Sequence, residues 1–176
     1  MTMHRDAVQV RLAQPSDLPA IMRLLRRVVP LMQAGGNQQW NVDYPHESTF
    51  ARDIELRQLW VSEIESVAVS GFAAITTDQQ SEYADAGLDI REPAIVVHRL
   101  AVDPAQRGAG IATTLMQQAE LVARERGVSA LRLDTNTQNF AAQRFFTGLG
   151  YVLAGEVSFA GRTGLRFLCY EKRIVL

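Results

Sequence analysis

An α+β fold, built on a largely antiparallel central sheet with at least one parallel crossover, is predicted from three features of the sequence. Apolar spacing switches repeatedly between a period of two and a helical period, in the order β-α-α-β-β-β-α-β-α-β-β. A long apolar strand at Ala94 to Val102 passes through a glycine-bearing loop directly into a helix. A further strand, helix and strand follow, the helix stopped by Gly150. The 176 residues are enough to bury a core without disulfides, and they read as a single domain spanning 1–176.

Val8, Val10 and Leu12 alternate with polar residues and predict the first strand. Pro15-Ser16-Asp17 starts a helix in which Leu18, Ile21, Leu24, Leu25, Val28 and Val29 share a face until Pro30 and Gly35-Gly36 disrupt it. A second short helix is capped by Ser48 and anchored by Phe50 and Ile54. Leu59 to Ile64 and Val67 to Thr76 read as a hairpin about Glu65-Ser66. Residues 77–92 form a polar loop whose five acids face one Arg91. It is either a solvated insertion or a flank that favours cationic groups. After the strand at 94–102, a helix runs from Gly108 to Arg126 with Ile111, Leu115, Ala119 and Val122 on one face. A strand at Ala130 to Thr135, a helix from Asn139 to Leu149, and strands at Tyr151 to Val157 and Leu165 to Ile174 complete the order.

Composition narrows the function. Lys plus Arg total 18 against 19 for Asp plus Glu, a net charge of −1, so no global positive field draws the chain to nucleic acid or anionic lipid. The single Cys169 forms no internal disulfide and reads as a buried small apolar residue. No Cys/His cluster has zinc spacing, so no metal is expected. Neither a signal peptide between Met1 and Val10 nor a membrane-spanning run is evident, which makes the expected location cytoplasmic.

The chemistry concentrates in Val97-His98-Arg99-Leu100-Ala101-Val102-Asp103-Pro104-Ala105-Gln106-Arg107-Gly108-Ala109-Gly110-Ile111-Ala112-Thr113. A strand ends, two glycines turn the chain tightly, and a helix begins, so backbone N–H groups converge where no side chain intervenes. That is a cradle for a pyrophosphate, with Arg107 adding positive charge and the small Ala112 leaving room. The Gly-Lys-Ser/Thr ending of a nucleotide-binding phosphate loop is absent, and Thr113 stands where a dinucleotide fingerprint needs Gly or Ala.

These residues resemble the GNAT superfamily of acyl-CoA-dependent N-acyltransferases. Arg107, Gly110 and Ala112 fit its signature Arg/Gln-x-x-Gly-x-Gly/Ala, after the turn Val102-Asp103-Pro104. Asn139-x-x-Ala142-x-x-Phe145-Phe146-x-x-Leu149-Gly150-Tyr151 is similar to the family's second element. Asn37-Gln38-Gln39-Trp40, Tyr44-Pro45, His98 to Val102 and Arg132 to Thr135 resemble a bacterial subgroup whose substrates are mostly unassigned.

The resemblance implies a sheet splayed between its fourth and fifth strands, with helices on both faces. The unpaired backbone of Leu100, Ala101 and Val102 would take the pantetheine arm of acetyl-CoA as an extra strand. The N–H groups of Gly108, Ala109, Gly110, Ile111, Ala112 and Thr113 would hold the pyrophosphate, with Asn139 and Phe146 approaching the cofactor from the second motif. The implied activity is transfer of an acetyl group from acetyl-CoA to the primary amine of a small molecule, amino acid or peptide by direct attack in a ternary complex. A homodimer is an admitted assembly; nucleic acid and membrane are not expected partners.

Two residues carry the expected catalysis. The backbone N–H of Leu100 is the candidate donor to the developing oxyanion. His98, with a reference pKa of about 6.5, is the candidate base, and strict alternation sets its side chain on one face with Val96, Leu100 and Val102. Trp40 and Tyr44 are candidates for the acceptor wall, and Asp43, Glu47 and Asp134 for recognition of a cation. Phe146 stands where many members of the family carry a tyrosine near the CoA sulfur, and phenylalanine donates no proton. A catalytically weak acyl-CoA-binding or sensor module is therefore the alternative reading.

Overall fold

A computed structural model describes residues 7–65 and 67–176; residues 1–6 of the N-terminal stretch and Ser66 of the expected hairpin turn lie outside the described residues. The elements follow the expected order: β1 (Gln9–Leu12), α1 (Leu18–Ala34), α2 (Glu47–Glu55), β2 (Leu59–Ile64), β3 (Val67–Thr76), β4 (Ala94–Val102), α3 (Ile111–Glu125), β5 (Ala130–Asn136), α4 (Phe140–Gly148), β6 (Val152–Val157) and β7 (Phe167–Arg173). The strands form one sheet in the order β1-β2-β3-β4-β5-β7-β6. Neighbours are antiparallel except β4 and β5.

The two sheet faces carry separate cores. On one, α1 and α2 bury Ile21, Leu24, Leu25, Phe50 and Ile54 against Val61, Phe72 and Ala74 of the sheet. On the other, α3 and α4 bury Ile111, Leu115, Met116 and Phe146 against Ala73, Ile95, Val97, Leu131 and Leu133.

Helix α1 continues past Pro30, where the sequence suggested disruption, and ends at Gly35. Pro30 is exposed and only four residues from the helix end, so the missing N–H costs little packing. Helix α3 starts at Ile111, three residues later than expected, because Gly108 (φ 82°) and Gly110 (φ 84°) take the left-handed conformation. Its first turn sits close on the sheet over Gly71, where a Cβ would lie 2.7 Å from Ile111 Cγ2 and 2.9 Å from Ala101 O.

The parallel pairing of β4 and β5 is short. It covers Ala94 with Ala130, Ile95 with Leu131 and Val96 with Arg132, and beyond Val96 the two strands part. Asp103, immediately after β4, caps the next turn by accepting from Ala105 N at 2.9 Å and pairs with Arg27 of α1 at 2.7 Å. This ties the cradle loop to the opposite helical layer.

The 77–92 segment is packed against the sheet rather than projecting into solvent. The buried Arg132 donates to Asp89 O at 2.9 Å, to Gln79 Oε1, and to the carboxylates of Glu92 (3.2 Å) and Glu171 (2.8 Å). Glu92 also accepts from Arg173, and Asp89 is paired with Arg91, so these two acids are neutralised locally and do not form a cation-favouring flank.

Candidate active site

Where β4 leaves β5, a cavity of about 430 Å³ opens through the sheet. Val97, Leu100, Leu133, Phe145 and Phe146 line its apolar half, on the α3 side. Gln39, Tyr44, His98, Asp134 and Arg162 line its polar half. A second cavity of about 270 Å³ shares Met32 and Asn139 with the first and extends along Val102 to Arg107. Together they make a path from the glycine loop, along the unpaired edge of β4, to the polar half.

The polar half exists because β4 is bulged. Phe72 pairs with Ala101 and Ala74 with His98, so Ala73 faces both Arg99 and Leu100. Arg99 sits at φ 52°, in the left-handed region that non-glycine residues seldom occupy. Its guanidinium is held by Asp53 through two bonds of 2.8 Å and donates to Tyr44 Oη at 3.0 Å; Gln58 Nε2 also donates to Asp53, at 2.9 Å. The bulge corrects the alternation argument. His98 stays on the face of Val96, toward Asp134, whereas Leu100 and Val102 turn to the α3 face.

His98 Nε2 lies 3.1 Å from Asp78 O. A carbonyl oxygen only accepts, so this contact assigns the proton to Nε2 and leaves Nδ1 as the ring's acceptor. Burial pushes the imidazole below its ordinary value, partly offset by the charge of Asp134. Burial pushes the Asp134 carboxyl up, opposed first by the hydrogen bond from Tyr83 and then by His98 and Arg162. Tyr83 Oη donates to Asp134 Oδ2 at 2.7 Å. Tyr83 is fully buried, and the same contact with Asp134, added to burial, holds its phenol well above the ordinary value. Cys169, opposite Asp134 on β7, is buried with its thiol pushed up to about 12, as befits a packing residue.

On the cradle side, Thr114 N donates to Gly110 O at 2.9 Å, the first bond of α3. The N–H groups of Ile111, Ala112 and Thr113 precede it and have no helical acceptor. Ala109 N, expected among the free donors, is taken by Gln106 O at 3.3 Å. Gly108 and Gly110 have open space where a Cβ would stand, Arg107 is exposed, and Ile111 contributes its N–H while its side chain fills the core. Asn139 caps α4, accepting from Ala142 N at 3.2 Å while donating to Thr135 Oγ1 at 3.2 Å.

Of the expected acceptor residues, Tyr44 lines the cavity beneath Arg162. Trp40 is buried against Phe72, the rings stacked at 6.3 Å, with part of its surface in the cavity wall. Asp134 reaches the cavity; Asp43 and Glu47 are exposed and do not.

No pattern in the sequence points to a role for Tyr83 or Arg162, and Asn37 stands out there only within the subgroup resemblance. Tyr83 and Arg162 come from loops far away in the chain, where no periodicity points inward. Asn37 is buried beside the second cavity; its Oδ1 accepts from Gln39 N at 3.0 Å and its Nδ2 has no partner among the described residues. A buried donor without an acceptor fits a ligand carbonyl or phosphate in that path. Together with the glycine loop and the open β4 edge, it matches the chemistry of acyl-CoA.

A splayed α+β sheet with a glycine loop and free backbone N–H groups at the start of α3 defines the class, and comparison with known proteins gives the family. Residues 23–151 match the Acetyltransferase (GNAT) family, and the chain belongs to it. Over 73 residues it is 41% identical to L-2,4-diaminobutyric acid acetyltransferase of Streptomyces coelicolor, covering 41% of this chain and 37% of that protein. Over 100 residues it is 30% identical to human N-acetyltransferase 8B, covering 57% of this chain and 40% of that protein. The chain thus spans well under half the length of these relatives. A GNAT-family acetyltransferase structure from Streptococcus agalactiae superposes with a TM-score of 0.82 at 27% identity, covering 96% of both chains. The fold is also shared, at TM-score 0.70 and 20% identity over 97% of this chain and 95% of the other, by yncA from Salmonella typhimurium, solved with acetyl-CoA.

Proposed function

We propose that the protein is an N-acetyltransferase that moves an acetyl group from acetyl-CoA to a primary amine by direct attack. The observation that carries this reading is the continuous path from the glycine loop of α3, along the unpaired edge of β4, to His98. Leu100, Ala101 and Val102 bind the pantetheine arm; Arg107, Gly108, Gly110 and the N–H groups of Ile111, Ala112 and Thr113 hold the pyrophosphate. Asn37 and Asn139 supply polar contacts between them, and Phe146 closes the apolar wall. When bound, acetyl-CoA supplies an activated thioester carbonyl.

The remaining chemistry belongs to the chain. The Leu100 N–H donates to the carbonyl oxygen as negative charge develops there. His98 Nδ1 takes the proton from the incoming ammonium or amine, its ring held by the Asp78 carbonyl. Asp134 stabilises the resulting imidazolium, and Tyr83 fixes Asp134. No side-chain acid is required for the leaving thiol, because a pKa of about 8.5 makes thiolate a tolerable leaving group near neutrality.

One observation favours the alternative of a weakly catalytic acyl-CoA-binding module. Phe146 carries no hydroxyl, and neither Tyr151 nor Tyr170 lines the cavity to replace it. Thermal shift followed by a thiol-release assay separates the readings. Acetyl-CoA and CoA, but not ATP, are expected to raise Tm, and an amine library is expected to release CoA thiol; stabilisation without release supports the binding module. No shift with either CoA species overturns both. We place the reaction in the cytoplasm, as the lone, buried Cys169 suits a reducing compartment. No helix among the described residues is long and apolar enough to cross a membrane.

A further inference from the structure

The polar half of the cavity holds charges of both signs that the fold itself does not use up. Arg99 is not one of them, being held by Asp53 in a closely bonded pair. Arg162 differs. It enters from the β6–β7 connection with its guanidinium carbon 4.9 Å from the Tyr44 ring centroid and 5.6 Å from that of Phe167. Its Nη2 donates to Gln39 O, while among the described residues Nε and Nη1 meet no acceptor and no carboxylate pairs with it. The aromatic faces on which it lies hold the fork in place, so little entropy is lost when a planar anion binds to it. Asp134, in the same wall, has Oδ2 engaged by Tyr83 and Oδ1 without a partner among the described residues.

We propose that this half of the cavity is a subsite for an amine that also carries a carboxylate, an amino-acid-like zwitterion, with its amino group against His98 and Asp134 and its carboxylate against Arg162. The proposal rests on the acetyl-transfer reading and narrows it. A simple alkylamine would leave Nε and Nη1 of Arg162 without an acceptor in a partly desolvated cavity. An acceptor with a carboxylate takes the N–H groups that Gln39 leaves free, the second N–H of Nη2 together with Nε or Nη1 on the same edge of the guanidinium. The amino group is thereby held at the end of the cavity where His98 Nδ1 can take its proton, so Arg162 is a specificity-determining residue and His98 the catalytic one.

The test compares the proteinogenic L-amino acids and 2,4-diaminobutyrate with their carboxamides and decarboxylated amines, using acetyl-CoA as donor. At least one carboxylate-bearing amine is expected to be acetylated with kcat/KM about 10- to 100-fold above its carboxamide. In Arg162→Gln that ratio collapses toward one, mainly through KM, and Arg162→Lys restores part of it. Calorimetric titration of the preferred amino acid into the enzyme saturated with CoA reads the same subsite without turnover. The expected result is binding in the parent and its loss in Arg162→Gln, with CoA affinity and Tm of the variant retained. Equal rates on acid and amide, no acetylation of any carboxylate-bearing amine, or undiminished binding in Arg162→Gln overturns the subsite. Failure of the parent to bind CoA at all overturns the acetyl-transfer reading instead.

Discussion

Arg99, at φ 52°, donates two hydrogen bonds of 2.8 Å to Asp53 of α2, and this pair holds the bulge that separates His98 from Leu100. Both side chains are largely buried, 13% and 4% exposed, so removing one leaves the other charge without compensation. Asp53→Ala is expected to cost about 3–5 kcal/mol of stability. Calorimetric Tm is the measure, and a drop on the order of 10 °C is the expected size. Asp53→Asn, which keeps one acceptor, should lose less. An unchanged Tm would show that the bulge is held by other contacts.

The pH profile tests the base. A base must be unprotonated to act, so kcat/KM rises as pH climbs through the pKa of His98. Burial lowers that pKa from 6.5, which sets the acid limb below pH 6.5. His98→Gln keeps an amide that donates to Asp78 O, but it has no titrating nitrogen. It is expected to lose the limb together with about a hundredfold or more in kcat/KM. The same limb in the variant would exclude His98.

Asn37 tests the cofactor path. Asn37→Asp retains the oxygen that accepts from Gln39 N but removes the unpaired donor. CoA is expected to bind at least about tenfold more weakly by calorimetry, the worth of a buried hydrogen bond to a charged or strongly polar acceptor. Unchanged affinity would mean that the Nδ2 group faces no part of the ligand.

Phe146 lies 6% exposed among Phe145 and Tyr151, at ring distances of 5.4 and 6.0 Å, and shares the wall of the cavity. Phe146→Tyr introduces a hydroxyl on that wall and is expected to leave kcat equal or raised in the thiol-release assay. A fall in kcat with CoA affinity intact would show that the apolar ring itself positions the reacting groups.

These expectations depend unequally on what a sequence displays. The order of strands and helices was legible because apolar periodicity is a local signal, and the turn before α3 was legible because Gly108 and Gly110 take the left-handed backbone that other residues seldom adopt. The α3 start was misplaced by three residues because the same glycines that mark the loop also delay the helix. The facing of His98 and Leu100 was misread for a different reason. Alternation assumes a regular strand, and the bulge at Arg99 depends on Asp53, 46 positions away in the chain. The acids of residues 77–92 read as charge in a loop, yet Glu92 pairs with Arg132 and Arg173, and Arg132 also donates to Asp89 O, so the segment is fastened to the sheet. Tyr83 and Arg162 were invisible because a loop residue turned inward by tertiary contacts leaves no periodic trace.

The central claim is that acyl-CoA occupies the gap that opens after Val96, with its phosphates at the start of α3. Hydrogen exchange followed by mass spectrometry, with and without saturating acetyl-CoA, measures this at the backbone groups concerned. The account predicts slowed exchange concentrated in peptides covering Leu100 to Val102 and Gly108 to Thr113, with little change in β1, β2 and β6. Protection confined to other elements, or none at saturation, would contradict it.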